Sequence, residues 1–159
     1  MHFNVKEDII QLTSKWEGER LPDGRPKVSD EDLAELRKLT LEEIWAPLYN
    51  AGYLNQFEEK LHRLHDDRKL VGRAVTASFL PARPDLEETV KAIGAEEGRK
   101  GTCNQWVIDL LMEGDVVVAD MYDKIYEGTF VGGNLSTAIR NRTITGGAVE
   151  VSCEGSVRV

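Results

Sequence analysis

A buried strand followed by a glycine-led helix start is the stretch of this sequence best suited to chemistry. The apolar residues 116–119 predict the strand, which emerges at Asp120, and the chain then enters a predicted helix through Gly132, Gly133 and Asn134. Glycines let the backbone approach a ligand closely, and the first N–H groups of a helix have no intrahelical partner. The helix dipole favours negative charge at the same end. The stretch therefore predicts a binding site for a small anion.

A second cluster of chemistry-bearing residues comprises His62 and His65, which are followed by Asp66 and Asp67. On a helix, residues three apart share one face, so the two imidazoles are placed to bind one metal ion. The alternative is a solvated, charged surface segment, which is the commoner role of such residues.

Helices and strands alternate along the chain, which predicts a fold of the α/β class. Residues 1–28 are predicted to form an N-terminal arm or loosely docked helix, and residues 29–159 the α/β domain. Ser29 is a predicted N-cap, and Thr40 with Glu43 fits a capping box. Strands are predicted at 70–80, 116–119, 147–151 and 156–159, and further helices at 101–112 and 132–142 and after a cap at Asp85. The helix after Thr40 is predicted to bury Leu41, Ile44, Trp45 and Leu48.

Composition and charge narrow the functional classes. The net charge is −8 and no run of lysines or arginines occurs, which disfavours nucleic acid and an anionic membrane surface as partners. No apolar stretch approaches transmembrane length, and the N-terminus lacks the apolar core of a signal peptide. Cys103 and Cys153 are too few for a disulfide framework or a zinc site. We therefore expect a cytoplasmic protein with reduced thiols.

Seven segments occur in an order that resembles one protein family. They are AGYLNQF at 51–57, LVGRAVTA at 70–77, PARPDL at 81–86, NQWVID at 104–109, GDVVVAD at 114–120, GGNLSTAI at 132–139 and GSVR at 155–158. The family joins the regulator of ribonuclease activity A (RraA) proteins to the 4-hydroxy-4-methyl-2-oxoglutarate aldolases, and was long labelled dimethylmenaquinone methyltransferase-like. The resemblance covers roughly residues 40–159.

The resemblance implies a swivelling β/β/α domain of the RraA-like type, assembled as a homotrimer with sites near the subunit interfaces. Catalytic members of the family cleave a 2-oxo acid to pyruvate, and many also decarboxylate oxaloacetate. Both reactions pass through a pyruvate enolate that a divalent metal cation, Mg²⁺ or Mn²⁺, stabilises. A hard cation neutralises the charge left on the former ketone oxygen, and an arginine can hold the carboxylate and the enolate through its forked donors.

Several residues match the family's functional positions. The substrate arginine falls on Arg158, which the resemblance makes a catalytic and substrate-binding residue. Asp120 is a second catalytic candidate for contact with a proton or a metal-bound water, and the alternative is a loop-starting aspartate that satisfies backbone donors. Asn104 and Gln105 match as well, as residues that support the site or as structural ones. The family's substrate loop falls on Gly132, Gly133, Asn134 and Leu135.

Three departures from the family bear on catalysis. Gly133 stands where the substrate loop carries an acid, and Val159 stands where the family has the aspartate that supplies the metal link. The family also continues beyond this point, so the fold is expected to be C-terminally truncated. Because Mg²⁺ binds oxygen donors, metal binding needs other carboxylates. The candidates are Glu154 and Asp120 above all, and then Glu150 and Asp123.

Two functions follow from the resemblance and its departures. The first is a metal-dependent lyase that cleaves a small 2-oxo acid, such as 4-hydroxy-4-methyl-2-oxoglutarate or oxaloacetate, to pyruvate. The alternative is a catalytically impaired RraA-like protein that binds and regulates a protein partner such as a ribonuclease. The acidic net charge fits a protein partner better than RNA itself. Either a truncated or frameshifted enzyme or a member that has lost catalysis would carry these departures.

Overall fold

The computed structural model describes residues 5–56, 69–122 and 130–144, together with the backbone of 61–62, 148–151 and 157–158. The chain divides into two compact units, Met1–Lys38 and Leu39–Val159. The division predicted from the sequence, 1–28 and 29–159, stays a prediction.

The first unit is held together by the side chain of Arg20. Its guanidinium donates hydrogen bonds to the Thr13 hydroxyl (2.7 Å) and carbonyl (2.7 Å), and to the Gly24 carbonyl (2.9 Å). These bonds tie helix α1 (Lys6–Leu12) to the turn that follows it. Helix α2 (Asp30–Leu36) begins where the sequence predicts, because the Ser29 hydroxyl accepts a hydrogen bond from the Asp32 N–H at 3.0 Å.

In its described residues, the second unit combines four helices with a five-stranded sheet, which confirms the predicted α/β class. The helices are α3 (Leu41–Asn50), α4 (Pro84–Glu96), α5 (Cys103–Asp109) and α6 (Gly133–Thr143). The strands are β1 (Leu61–His62), β2 (Arg73–Ser78), β3 (Asp115–Asp120), β4 (Ala148–Val151) and β5 (Val157–Arg158). The more specific RraA-like fold stays a prediction.

The sheet has the order β1-β5-β4-β3-β2. Strands β2, β3 and β4 are parallel neighbours, and helices occupy both connections between them, as parallel pairing requires. Strand β5 then returns antiparallel to β4, and β1 pairs parallel with β5.

Strand β3 lies at the centre of the core. Its residues Val117 and Ala119 are fully buried, and helix α6 covers the sheet through Ile139. The start of β3 also carries a buried charge, since the fully buried Asp115 accepts a hydrogen bond from Arg73 Nε at 3.3 Å. The remaining core members are Val75, Ile108, Leu111, Met121 and Phe130.

Two local predictions are wrong. Helix α3 has the predicted capping box, in which Thr40 and Glu43 exchange hydrogen bonds, but none of its residues is buried, and Leu41 is 64% exposed. Helix α4 begins at Pro84 rather than after a cap at Asp85, because proline has no N–H to lose at the first helical position. No helix in the described part of the chain has the length and apolarity to cross a membrane.

Candidate functional site

The carboxyl ends of the parallel strands form one edge of the sheet. Ser78 ends β2, Asp120 ends β3 and Val151 ends β4, and the three residues are in register with one another. Ligands of open α/β sheets bind outside this edge, where the loops that follow the strands converge. Asp120 is therefore at the position in the sheet where a polar side chain is most useful.

Helix α6 begins at the same edge of the sheet. Its last residue, Thr143, accepts a hydrogen bond at its carbonyl from the N–H of Gly114, which directly precedes β3 (3.0 Å). The end of α6 thus lies beside the start of β3, so the helix runs back along the strand. Its N-terminus, at Gly133, lies at the carboxyl edge.

The start of α6 is open. Gly132 is the N-cap in an extended conformation, no side chain among the described residues caps the helix, and its first turn contains no acidic residue. Among the described residues, no atom lies within 4 Å of a Cβ placed on Gly132 or Gly133, and Asn134 is exposed. Leu135 by contrast packs against the core and fixes the first turn. The sequence prediction of an anion-binding helix start thus falls on an uncapped and accessible helix N-terminus.

Asp120 has the hydrogen bond of a loop-starting aspartate. Its Oδ1 accepts from the Tyr122 N–H at 2.9 Å, and its Oδ2 lies 3.4 Å from the Ser78 hydroxyl, which is a weak contact. The carboxylate is half-buried. Its turn-forming bond engages one oxygen, so the other oxygen has acceptor capacity for a ligand.

Arg158 lies on β5, opposite Glu150 of β4. Glu150 in turn is in register with Ala119 rather than with Asp120. The backbones of Asp120 and Arg158 are thus two strands apart, roughly 10 Å at the ordinary spacing of strands. The sheet therefore does not make the two predicted catalytic residues direct cross-strand partners.

Two candidate metal ligands, Asp123 and Glu154, lie outside the described residues. The same holds for His65 and for Val159, the position of the missing aspartate. His62 falls on strand β1, where it is in register with Arg158, and not on the helix that the paired-imidazole hypothesis requires.

Asn104 and Gln105 both have structural partners at the start of α5. The Gln105 side-chain oxygen accepts from the Thr102 N–H at 2.7 Å, as in a capping box. The Asn104 side-chain oxygen accepts from the Gln105 N–H, and its nitrogen donates to the Phe130 carbonyl at 2.9 Å. At the other end of the two helices, Arg142 of α6 pairs with Asp109 of α5 at 2.6 Å. Helices α5 and α6 therefore lie side by side in the same direction, with both N-termini at the carboxyl edge.

A cavity of about 240 Å³ opens at this edge, between β2, β3, α4 and α5. Its inner end is formed by Phe79, Met121 and Phe130, which follow β2, follow β3 and precede α6. Its mouth is formed by Glu87 and Lys91 of α4 with Thr102, Cys103 and Asn104 of α5. No motif in the sequence indicates this cavity, because single apolar residues after two strands look like ordinary core residues.

A charged pair stands at the mouth of the cavity. Lys91 Nζ and Glu87 Oε1 are 2.5 Å apart, and both side chains are more than half exposed. The hydrogen bond that Lys91 donates to Glu87, together with the negative charge of that carboxylate, raises the pKa of Lys91 above its usual value. The pair is electrically neutral overall, so the mouth offers no strong net field to a ligand.

Among the described residues, no group of three or more histidine, cysteine or acidic side chains is placed to hold a metal ion. Mg²⁺ is commonly bound by one or two carboxylates, with waters and substrate oxygens completing the shell. Asp120 fits such a site as the single protein carboxylate. The substrate and water would supply the other ligands. No resident metal cage is built into the described part of the chain.

No protein-family model, curated protein or solved structure matches this chain.

Proposed function

We propose that this chain binds a small 2-oxo acid and acts as a lyase that releases pyruvate through an enolate, with the RraA-like fold and homotrimeric assembly that the motif resemblance implies. One observation carries the proposal. The uncapped, open N-terminus of α6 lies at the same edge of the sheet as the Asp120 carboxylate. This edge provides hydrogen-bond donors for an anion beside an acid–base group, which is the minimum that the reaction needs.

The first step is binding of the substrate carboxylate. The N–H groups of Gly133 and Asn134 belong to the first turn of an eleven-residue helix and have no intrahelical acceptors. They point at the ligand together with the positive end of the helix dipole. Glycine at 132 and 133 leaves the space that the carboxylate occupies, because no Cβ stands there.

The second step is cleavage of the carbon–carbon bond. Oxaloacetate loses carbon dioxide to form the enolate directly, and a proton added at the enolate carbon gives pyruvate from either substrate. In the aldol substrate, the electron pair of the broken carbon–carbon bond passes to the ketone oxygen as the enolate forms, after a base has removed the proton of the hydroxyl. Asp120 acts on that proton, directly or through water, from the carboxyl end of β3. Arg158 holds the developing negative charge through its forked donors.

A divalent cation, bound through Asp120, the substrate and water, would supply further neutralisation of the enolate oxygen. Val159 stands where the family has the aspartate that links the metal. Restoring a carboxylate at this position tests whether it is the missing metal ligand. Titration with Mn²⁺ of the unaltered chain and of Val159→Asp measures this directly. Tighter Mn²⁺ binding by the variant is expected, and unchanged affinity rejects position 159 as the missing ligand.

The central test measures pyruvate, using lactate dehydrogenase and NADH, after incubation with Mg²⁺ or Mn²⁺ and either oxaloacetate or 4-hydroxy-4-methyl-2-oxoglutarate. Release of pyruvate above the rate with metal alone is expected. Failure to release pyruvate from either substrate with either metal refutes the lyase function.

A matched pair of substitutions tests the carboxylate-binding role of α6. Proline is well tolerated at the first helical position, so Gly133→Pro deletes one N–H donor while keeping the helix start. Gly133→Ala keeps the donor and adds only a methyl group, for which there is space. We expect Gly133→Pro to raise KM about tenfold, the value of one charge-assisted hydrogen bond, and Gly133→Ala to change it little. Equal effects of the two substitutions would show that the N–H is not used.

A second candidate function is regulation of a protein partner without catalysis. The observation that favours it is the apolar face of α3, formed by Leu41, Trp45, Leu48 and Tyr49, on a helix with no buried residue. Exposed apolar faces of this kind often mark protein-binding surfaces. If the face binds a partner, the chain will recover a stoichiometric protein from lysate and Leu41→Glu will lose it. Asn50→Glu, at the end of the same helix, is the control that should retain it. Recovery of no such protein counts against this function.

A further inference from the structure

The cavity between Phe79, Met121 and Phe130 lies next to the proposed carboxylate site. Phe130 lines the cavity and is two residues before Gly132, the N-cap of α6. Two residues of extended chain span at most about 7 Å, so one small molecule can reach both places. The Asn104–Phe130 hydrogen bond of 2.9 Å fixes this short connection to α5.

The inner lining of the cavity is apolar. Phe130 and Met121 are buried, and the rings of Phe79 and Phe130 are in tilted contact with 5.4 Å between their centroids. An apolar lining of this kind favours an apolar group, because polar groups would lose their hydration without gaining partners.

The polar residues at the mouth are engaged with each other. The Thr102 hydroxyl lies 2.5 Å from the Asn104 side-chain oxygen, the Asn104 nitrogen donates to Phe130, and Lys91 pairs with Glu87. These bonds leave few polar groups for recognition of a ligand inside the cavity. The cavity therefore selects its ligand by shape and apolar area.

The volume sets the size of the group. Apolar cavities of roughly 150 Å³ admit a benzene ring. A cavity of about 240 Å³ takes a phenyl ring or a branched alkyl chain with its first linking carbon. We propose that the cavity binds the apolar substituent of the substrate, and that the substrate class is therefore 2-oxo acids that carry an aryl or branched-alkyl group. This inference rests on the proposed function only in taking the ligand to be a 2-oxo acid. The apolar substituent is inferred from the cavity.

Cys103 at the mouth of the cavity provides a reporter that does not depend on turnover. The chain has two cysteines, so Cys153→Ser leaves Cys103 as the single thiol. The rate of its alkylation by iodoacetamide is measured in the presence of phenylpyruvate, 4-methyl-2-oxopentanoate or pyruvate. Phenylpyruvate and the branched acid are expected to slow alkylation at concentrations about tenfold lower than pyruvate, because an apolar group in a fitted pocket contributes about that factor. Equal protection by all three acids, or protection by none, overturns the proposal.

A substitution that fills the cavity checks the location. Cys103→Phe places a ring at the mouth, and Glu96→Phe places the same ring on an exposed position of α4. Binding of phenylpyruvate is followed by ligand-observed NMR, and thermal unfolding confirms that both variants are folded. Cys103→Phe is expected to weaken binding about tenfold and Glu96→Phe to leave it unchanged. If Cys103→Phe is unfolded, the alkylation experiment alone decides. Unweakened binding in a folded Cys103→Phe places the ligand elsewhere.

The outcomes separate this inference from the lyase function. Protection of Cys103 by phenylpyruvate without pyruvate release from any substrate retains the apolar pocket and rejects the lyase. Pyruvate release from oxaloacetate without selective protection retains the lyase and rejects the pocket.

Discussion

The side-chain nitrogen of Asn104 donates a hydrogen bond to the carbonyl oxygen of Phe130 at 2.9 Å, across 26 positions of sequence. The bond joins the first turn of α5 to the segment that leads into α6. Because α5 and α6 run in the same direction, it aligns the two helix N-termini at the carboxyl edge of the sheet. The same bond shapes one wall of the cavity and sets where the open start of α6 lies.

Replacement of Asn104 by aspartate is therefore predicted to lower stability and to weaken binding at the proposed site. The substitution keeps the size of the side chain and its acceptor oxygen but removes the donor to Phe130. We expect a loss of unfolding free energy of about 1–2 kcal/mol, because a half-buried carbonyl loses its partner. Denaturation by urea measures the loss. KM for the 2-oxo acid should rise as well, since the start of α6 is no longer fixed.

Asn141→Asp is the control for the Asn104 substitution. Asn141 is exposed on α6, so the same chemical change should alter stability by less than about 0.5 kcal/mol. Equal stability of Asn104→Asp and Asn141→Asp would mean that the bond to Phe130 is not needed.

The buried pair of Arg73 and Asp115 predicts a larger effect. Asp115 is fully buried and accepts hydrogen bonds from Arg73 Nε (3.3 Å) and from the Met112 N–H (3.0 Å). Asp115→Ala removes one partner of a largely buried ion pair and should cost about 3–5 kcal/mol of unfolding free energy. Chemical denaturation again gives the measurement.

The double variant Arg73→Met with Asp115→Ala distinguishes the charge from the packing. If the loss of this ion pair causes the destabilisation, the double variant will be more stable than Asp115→Ala alone. Strictly additive losses from the two substitutions would argue against coupling between the residues.

Local signals in the sequence predicted the elements that depend on local chemistry. Each of three such elements depends only on residues close together in sequence, and each is present in the structure. They are the Ser29 cap, the Thr40–Glu43 capping box and the apolar strand β3. The start of α6 was predicted from Gly132, Gly133 and Asn134, and the helix begins there. The burial of α3 was predicted wrongly, because an amphipathic pattern states that a face is apolar but not that anything covers it.

The candidate site depends on contacts that are distant in sequence. No local pattern states that Asn104 reaches Phe130, or that Phe79 and Met121 share a cavity, since these residues meet only when the strands pair. The register that offsets Arg158 from Asp120 is likewise a property of strand pairing. The site residues inferred from motifs therefore stay predictions, and the fold decides which of the described ones are neighbours.

Gly94 is predicted to be the glycine of α4 that tolerates no side chain. A Cβ at this position would lie 2.2 Å from Cη2 of the Trp106 ring, whose Nε1 is held by the Lys100 carbonyl at 2.8 Å. Gly94→Ala should therefore lower stability by about 1–3 kcal/mol, despite the better helix propensity of alanine. Thermal unfolding, with the change in Tm, checks this.

Gly133→Ala is the matched control for Gly94→Ala. It makes the same change in a helix where the new methyl group meets nothing within 4 Å. Its stability should be unchanged or slightly increased. A destabilisation equal to that of Gly94→Ala would exclude the contact with Trp106 as the cause.

The exposed ion pair of Arg83 and Asp85, at the start of α4, causes a pKa shift that can be measured. Hydrogen bonds from the Arg83 side chain, and next from the Leu86 N–H, lower the pKa of the Asp85 carboxyl. Because the pKa in the folded state is the lower one, the stabilisation is present above the ordinary aspartate pKa and is lost as pH falls through the folded value. Arg83→Ala should raise the Asp85 pKa toward its ordinary value. NMR titration of the carboxyl carbon measures both.

Salt provides the control for the Arg83 substitution. The pair is more than half exposed, so high ionic strength should raise the Asp85 pKa in the unaltered chain and change it much less in Arg83→Ala. The bond from the Leu86 N–H persists in the variant, so part of the lowering should remain in both conditions. An Asp85 pKa that is unaffected by the loss of Arg83 would mean that the backbone alone holds the carboxylate at the helix start.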